Sequence, residues 1–245
     1  MSLFLKKQEM LKKAPEPNLP QPTTPKGRAT LARILASGRE IFGEAGYVSM
    51  RMSDLAERAH LSMGALYRYF DNKDDVFLAI IHDIHNELYA ASRPGERQSF
   101  RDRPDEAILE SNRGYLGHYR NHRKVMRAFI EATMVDQRYD DMWWYMRERH
   151  IVRVATALER DHGITEINGM PARVSLEALA SMTEQSAYVW YAHPDTAAEM
   201  LPVDDAARIV SEIWCCTLFS PRGAGRQDPP ARSEGRQGRT DMERT

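Results

Sequence analysis

The chain has 245 residues, with 42% hydrophobic and 28% charged, and 34 Lys and Arg against 35 Asp and Glu give a formal net charge of -1. That length can bury a large core, or join a small domain to a larger one, and no uninterrupted apolar run approaches the roughly 18 to 20 residues that span a bilayer, so no membrane partner is expected. Two adjacent cysteines, Cys215 and Cys216, exclude a disulfide framework and suit a reducing compartment; with no small-residue cleavage site behind the lysine-flanked start, a cytoplasmic location is expected.

Residues 1–27 read as a basic, proline-rich disordered tail: Lys6, Lys7, Lys12 and Lys13 precede five prolines between positions 14 and 25, which sustain no helix. Beyond it, apolar residues recur at helical spacing and strand-like alternation is scarce, which predicts an all-α body. A first helix is expected from Arg28 to about Ala45, with Leu31, Ile34, Leu35, Gly38, Ile41 and Phe42 on one stripe and Gly46 as its stop. A short helix over about Ser53 to Ala59 follows. His60, Leu61 and Ser62 then turn tightly into a third helix through Phe70.

Two short helices joined by so tight a turn, behind a supporting helix, form the helix-turn-helix pattern that lays its second helix in a DNA major groove. Residues 26–73 carry eight Lys or Arg against five acids, so this part is basic although the whole chain is not. With Leu66 and Phe70 anchoring the third helix inward, Ser62, Met63, Ala65, Tyr67, Arg68 and Tyr69 are left outside, offering hydroxyl and guanidinium donors to phosphates and bases. Residues 28–73 are the expected DNA-binding domain.

Asn72, with Asp75 three residues on, resembles a capping box opening a connecting helix over 74–92 that carries Val76, Phe77, Ile80, Ile81, Ile84 and Leu88 on one face. Pro94 and Gly95 begin a connector that runs to about Pro104. Further helices are expected at 105–120, 122–136, 140–161, 171–192 and 204–218, separated by breakers such as Gly163, Gly169, Pro194 and Pro202. Residues 74–219 thus form a second, helical domain, and 220–245 a second disordered tail.

In that domain Tyr115, Tyr119, Met126, Phe129, Met134, Trp143, Trp144 and Met182 supply more bulky, adaptable surface than a small bundle needs. Helical spacing alone favours an ordinary core over a pocket. Leu179, Val189 and Trp190 share a helix whose apolar residues cannot all face one core, and Ile209, Val210, Ile213 and Trp214 repeat the pattern in the last helix. A second copy of the chain would cover them, making a homodimer. His118 and His122 stand at i and i+4, and His82 and His85 at i and i+3, without an evident third ligand; no metal or cofactor is expected. Glu57 to His60 and Glu159 to His162 have the Glu-x-x-His spacing of helical di-iron enzymes, but both histidines fall at helix ends. No nucleophile elbow or phosphate-binding loop is present, and no enzyme is expected.

Phe42, Gly46-Tyr47, Asp54-Leu55-Ala56, Ala59, Ser62, Gly64, the run Leu66 to Phe70, and Lys73 resemble the DNA-binding signature of the tetracycline-repressor (TetR) family over about residues 28 to 77. The resemblance implies two helix-turn-helix units per dimer, a palindromic double-stranded operator, and a C-terminal domain holding an effector pocket and the dimer interface. It turns the aromatic and Met cluster toward the pocket reading. Carried over residue by residue, Tyr67, Tyr69 and Lys73 would touch phosphate, and Ser62, Met63, Ala65 and Arg68 would lie around the base edges; Arg51, Ser53 and Gly64 complete the expected DNA-binding set. The sequence departs where the family commonly has Thr, holding Met50, Arg51 and Met52, so that Ser53 or Ser49 would have to cap the second helix. His60 replaces the usual turn glycine, and Met63 would read a thymine methyl. The expected function is a repressor released from its operator by a small apolar or aromatic effector. A di-iron enzyme and an effector-free DNA-binding dimer are the alternatives.

Overall fold

Thr24 accepts a hydrogen bond from the Gly27 N–H (3.0 Å) and Pro25 takes the first helical position, so the first helix starts three residues before Arg28. Proline is tolerated there because that N–H has no helical partner to lose. The structure, a computed structural model, describes residues 19–93, 99–193 and 200–219. The expected C-terminal tail and most of the N-terminal one lie outside the described residues.

Helix α1 spans Pro25–Ser49, kinked at Gly46, whose φ of 79° and ψ of 173° belong to a region that is essentially glycine-only. Helices α2 (Met52–Arg58) and α3 (Met63–Leu66) follow. His60 joins them at a φ of 52°, the left-handed conformation its position demands. The third helix is only one turn long; Tyr67 to Tyr69 continue as a turn in which the Tyr69 N–H donates to the Leu66 carbonyl (2.9 Å). Neither Ser49 nor Ser53 caps α2: its N-cap is Arg51 without a side-chain bond, while Met50 is buried. Asn72 does cap α4 (Lys73–Ala91), accepting from the Asp75 N–H at 2.9 Å.

Helix α5 (Pro104–Thr133) is one 30-residue rod where two helices were expected. Asn121 and His122 contain no breaker, and the buried stripe Leu116, Tyr119, Val125, Met126 and Phe129 runs through them in register. Helix α6 (Gln137–His162) ends at the left-handed Gly163. A two-residue hairpin that periodicity did not reveal then pairs β1 (Glu166–Ile167) with β2 (Met170–Pro171) around Asn168 and Gly169, at φ of 54° and 72°. Asn-Gly is the preferred sequence for such a turn. Helix α7 (Ala172–Ala187) widens into a π turn over Tyr188–Ala192, and α8 (Val203–Phe219) follows.

Helix α5 packs against α1, α4, α6 and α8 and forms the spine of the molecule. Phe42, Tyr47, Phe77, Phe129 and Tyr139 make one buried aromatic cluster across α1, α4, α5 and α6; Phe42 and Phe77 have ring centroids 4.4 Å apart, and Tyr47 and Tyr139 5.0 Å. The DNA-binding end and the bundle therefore share a core. In the last two helices Leu179, Val210 and Trp214 are buried within the single chain, and the Trp214 indole donates to Thr183 Oγ1 (3.0 Å). These three are core residues, because α8 lays that stripe on α5 and α7. Trp190 is half-buried, whereas Val189, Ile209 and Ile213 remain 43 to 47% exposed.

Candidate nucleic-acid interface and effector cavity

The surface that α3 presents starts at Ser62, which caps its own helix by accepting from the Ala65 N–H (3.2 Å). Leu66 and Phe70 are buried, and Ser62, Met63, Gly64, Tyr67 and Arg68 are exposed, with Ala65 half-buried. A Cβ built on Gly64 would meet nothing within 4 Å, so the backbone there is open to close approach by a partner. Arg51 and Ser53, at the start of α2, are exposed too; Ser53 donates to Asp54 Oδ1 at 3.1 Å. Arg51 and Arg68 have no ion-pair partner among the described residues, whereas Arg58 is spent on Glu40 (3.1 Å) and Glu44 (2.9 Å).

Two of the expected phosphate ligands also serve inside the molecule. The Tyr69 hydroxyl donates to the Gly27 carbonyl (3.4 Å), tying the turn after α3 to the first turn of α1. Lys73 donates to the carbonyls of Tyr47 (3.0 Å) and Val48 (3.1 Å) and lies 4.8 Å from the Tyr47 ring centroid, satisfying carbonyls at the kinked end of α1. One of its three N–H groups is left over for another acceptor.

Helices α4 to α8 line a partly open cavity of about 680 Å³. Of the residues expected to line a pocket, Tyr115, Tyr119, Met126, Phe129, Met134 and Trp143 do so. Trp144 does not: it is 39% exposed, its ring packed edge-on against that of Trp143 with centroids 4.8 Å apart. Met182 also stands off the cavity, because the side of α7 that faces it carries Ala180, Thr183 and Glu184. Tyr188 reaches the cavity through the π turn, a feature frequent at functional sites. A smaller cavity of about 180 Å³ adjoins across Ser92, Ser111, Asn112, His150 and Trp214.

The polar lining was not expected from the sequence, since His85, Arg147, His150 and Glu184 look like ordinary polar helix positions there. Arg147 pairs with Glu184, yet burial outweighs that pairing and pushes the Glu184 carboxyl up to about 7. Burial, reinforced by Arg149, lowers His85 to about 4, and burial with Arg153 lowers His150 to about 3. Both imidazoles are uncharged at neutral pH, and burial holds the Tyr115 and Tyr119 phenols protonated. His85 is 6% exposed, and neither ring nitrogen has a hydrogen-bond partner among the described residues. A neutral imidazole there offers one donor and one acceptor to whatever fills the space.

The family model described as "Bacterial regulatory proteins, tetR family" matches residues 34–80, and that described as "Transcriptional regulator EthR, C-terminal domain" matches residues 109–220. The chain belongs to the TetR family. This TetR-family chain is similar to the HTH-type transcriptional regulator EthR of Mycobacterium tuberculosis, at 23% identity over 210 residues that cover 81% of this chain and 95% of the relative. It is also similar to the HTH-type transcriptional activator FasR of Mycolicibacterium smegmatis, at 24% identity over 64% of this chain and 70% of the relative. Its fold resembles a TetR-like transcriptional regulator from Rhodococcus sp. RHA1, with a TM-score of 0.57, 24% identity, and 81% of this chain and 97% of that one covered. A TetR-family regulator from Streptomyces coelicolor aligns with a TM-score of 0.63 at 14% identity, covering 78% and 80%. Among the described residues no helix is long and apolar enough to cross a membrane, and neither Glu-x-x-His pair enters a cluster of three metal-ligating side chains.

In this TetR-family chain polar contacts add to the aromatic cluster in joining the bundle to the helix-turn-helix end. Glu131, on α5 beside the cavity residues Ile130 and Thr133, accepts from the N–H groups of Tyr47 (3.1 Å) and Val48 (3.3 Å) at the Gly46 kink. A Cβ at Gly46 would lie 2.5 Å from Glu131 Oε2, so a side chain there would push the carboxylate from its place. Farther along α1, Arg39 donates to Glu87 Oε1 of α4 (2.9 Å) and sits 3.8 Å from Asp83. His118 and His122 of α5 face the same Glu87, and burial lowers both imidazoles below their ordinary value.

Proposed function

We propose that the chain is a homodimeric repressor that binds a palindromic operator through α3 and the start of α2, and releases it when an uncharged, largely apolar molecule fills the bundle cavity. The observation that carries this reading is the double role of α5: it lines the cavity with Tyr115, Tyr119, Met126 and Phe129 and then holds the Gly46 kink through Glu131. A ligand that bound both conformations equally would shift nothing, so the effector must favour a bundle in which the two recognition helices no longer match successive half-sites. The neutral imidazoles and protonated phenols suit a molecule with one hydroxyl, carbonyl or amide group near His85 and an apolar or aromatic remainder.

Dimerisation through exposed Val189, Ile209 and Ile213 is supported by the four-residue spacing of the last two, which places them on one outer stripe of α8. Matching half-sites would then be centred about 34 Å apart or a multiple of it. Selection of bound duplexes from a random pool, followed by anisotropy titration at fixed salt, tests the DNA assignment. A palindromic consensus bound well above random DNA is expected; no enrichment over random duplex contradicts it.

A further inference from the structure

Outside the cavity, at the seam between the DNA-binding end and the bundle, two imidazoles of α5 and one carboxylate of α4 converge. Glu87 Oε2 lies 3.6 Å from His122 Nε2 and 3.9 Å from His118 Nε2. One ligand atom from each of the three residues falls within 4.8 Å of the others, and the two imidazole centroids are 4.3 Å apart. The i, i+4 spacing places both rings on one helix face; the third donor comes from a residue more than thirty positions away and is invisible in sequence. A tetrahedral ion with bonds of about 2.0 to 2.1 Å holds its donors about 3.3 Å apart, so small side-chain rotations would close the set.

We propose that Glu87, His118 and His122 bind a divalent transition-metal cation of the zinc class, fastening α4 to α5. Two imidazoles with one carboxylate suit zinc, cobalt(II) or nickel(II) rather than magnesium or calcium, which prefer oxygen ligands throughout. The division of labour on Glu87 fits a metal ligand: Oε1 accepts from Arg39 at 2.9 Å, leaving Oε2 turned toward the imidazoles. Outer partners of this kind orient ligating carboxylates. The side chains of His118 and His122 are 12% and 21% exposed and that of Glu87 46%, so an ion reaches the set from one side and water can take the remaining position. His118 Nε2 lies 3.1 Å from the Ile84 carbonyl. Coordination through that nitrogen needs its proton on Nδ1 and a turn of the ring off that carbonyl, because the gap holds no ion.

The test uses the full chain without an affinity tag, stripped with a chelator and titrated with cobalt(II) alone while visible absorption is recorded, then with zinc(II) in competition. One cobalt per chain is expected, with the intense visible bands of four-coordinate cobalt, displaced by zinc. His122→Ala and Glu87→Gln should each weaken cobalt binding by about 10- to 100-fold or more, the loss that even an outer-shell change causes. His82→Ala and a Cys215→Ser/Cys216→Ser double variant should bind as the wild type does. Among the described residues the polar contact of His122 Nε2 is with Glu87, so His122→Ala decides the matter even if Glu87→Gln does not fold. Absence of the cobalt bands, or bands that survive His122→Ala and vanish in the cysteine variant, overturns the site.

Discussion

Arg153 of α6 holds the last residue of the α4 segment: its Nη2 donates to the carbonyl oxygen of Ser92 at 3.1 Å and to the hydroxyl at 2.9 Å, while its Nη1 reaches the Tyr89 carbonyl at 3.0 Å. Ser111 of α5 donates to the same Ser92 carbonyl (2.7 Å). Helix α4 is therefore fixed at its far end by carbonyl capping from the bundle, and at its near end by Asp74, which accepts from Tyr47 (2.8 Å) and from Arg138 (2.8 Å). Ser92 also lines both cavities. A molecule bound there would lie against the residue that anchors α4, and the aromatic seam joins α4 to α1.

The DNA-facing surface predicts a separation of stability from binding. Gly64→Ala should leave the fold intact, and helix propensity should raise stability by up to about 1 kcal/mol, because the new methyl meets open space. The same methyl should weaken operator binding by obstructing close approach. Arg68→Ala should cost about 1 to 3 kcal/mol of operator affinity and relax preference at one base position. Thermal melts paired with operator titrations read both; a Gly64→Ala protein that binds DNA as the wild type does removes the close-approach argument.

Much of this site was legible in residue order, and the reason is local. Spacing turns Leu66 and Phe70 inward, capping marks Asn72 with Asp75, and a tight turn marks His60; each signal rests on neighbours within four residues. What sequence left out is set by long-range packing. Nothing near Trp144 says that it stands off the cavity that Trp143 lines, and nothing near Trp214 says that it is held by Thr183, thirty-one residues earlier. Glu131 looks like any helical glutamate until α5 is laid beside the Gly46 kink. The Asn168-Gly169 turn is the exception, a feature whose signal is local in residue order.

Glu184 should impose a measurable pH dependence. Its folded value of about 7 stands above the ordinary carboxyl value of 4.5, so the native state keeps a proton that the unfolded chain gives up. Its stabilising contribution is complete below about pH 4.5 and is lost as pH rises through about 7, at most ~3 kcal/mol in all. His85, lowered to about 4, works in the opposite sense, with stability present above 6.5 and lost as pH falls through 4, so the wild-type curve alone is ambiguous. The melting temperature of wild type minus that of Glu184→Gln isolates the carboxyl. That difference should fall between pH 5 and pH 8; a rise would mean that the Arg147 pairing outweighs burial.

The outer stripe of α8 predicts an assembly defect without a core defect. Ile213 is 43% exposed in the single chain, so Ile213→Glu should preserve helix content while shifting the protein toward monomer and weakening operator binding. Val210→Glu should instead unfold the bundle, because Val210 is 1% exposed. Sedimentation at micromolar concentration separates the two. A wild-type protein that already sediments as a monomer would contradict the dimer.

The most direct test of the coupling between cavity and helix-turn-helix is operator affinity measured with and without a saturating ligand found by thermal-shift screening, in wild type, Tyr119→Ala and Glu131→Gln. Wild type should lose about 5- to 150-fold in operator affinity when the ligand binds, a coupling of about 1 to 3 kcal/mol. Tyr119→Ala should weaken ligand binding, since Tyr119 lines the cavity. Glu131→Gln should bind the ligand as the wild type does while losing most of the change in operator affinity, because the carboxylate that holds the Tyr47 and Val48 N–H groups is gone. A ligand that binds the cavity of wild type tightly and leaves operator affinity unchanged would contradict the account.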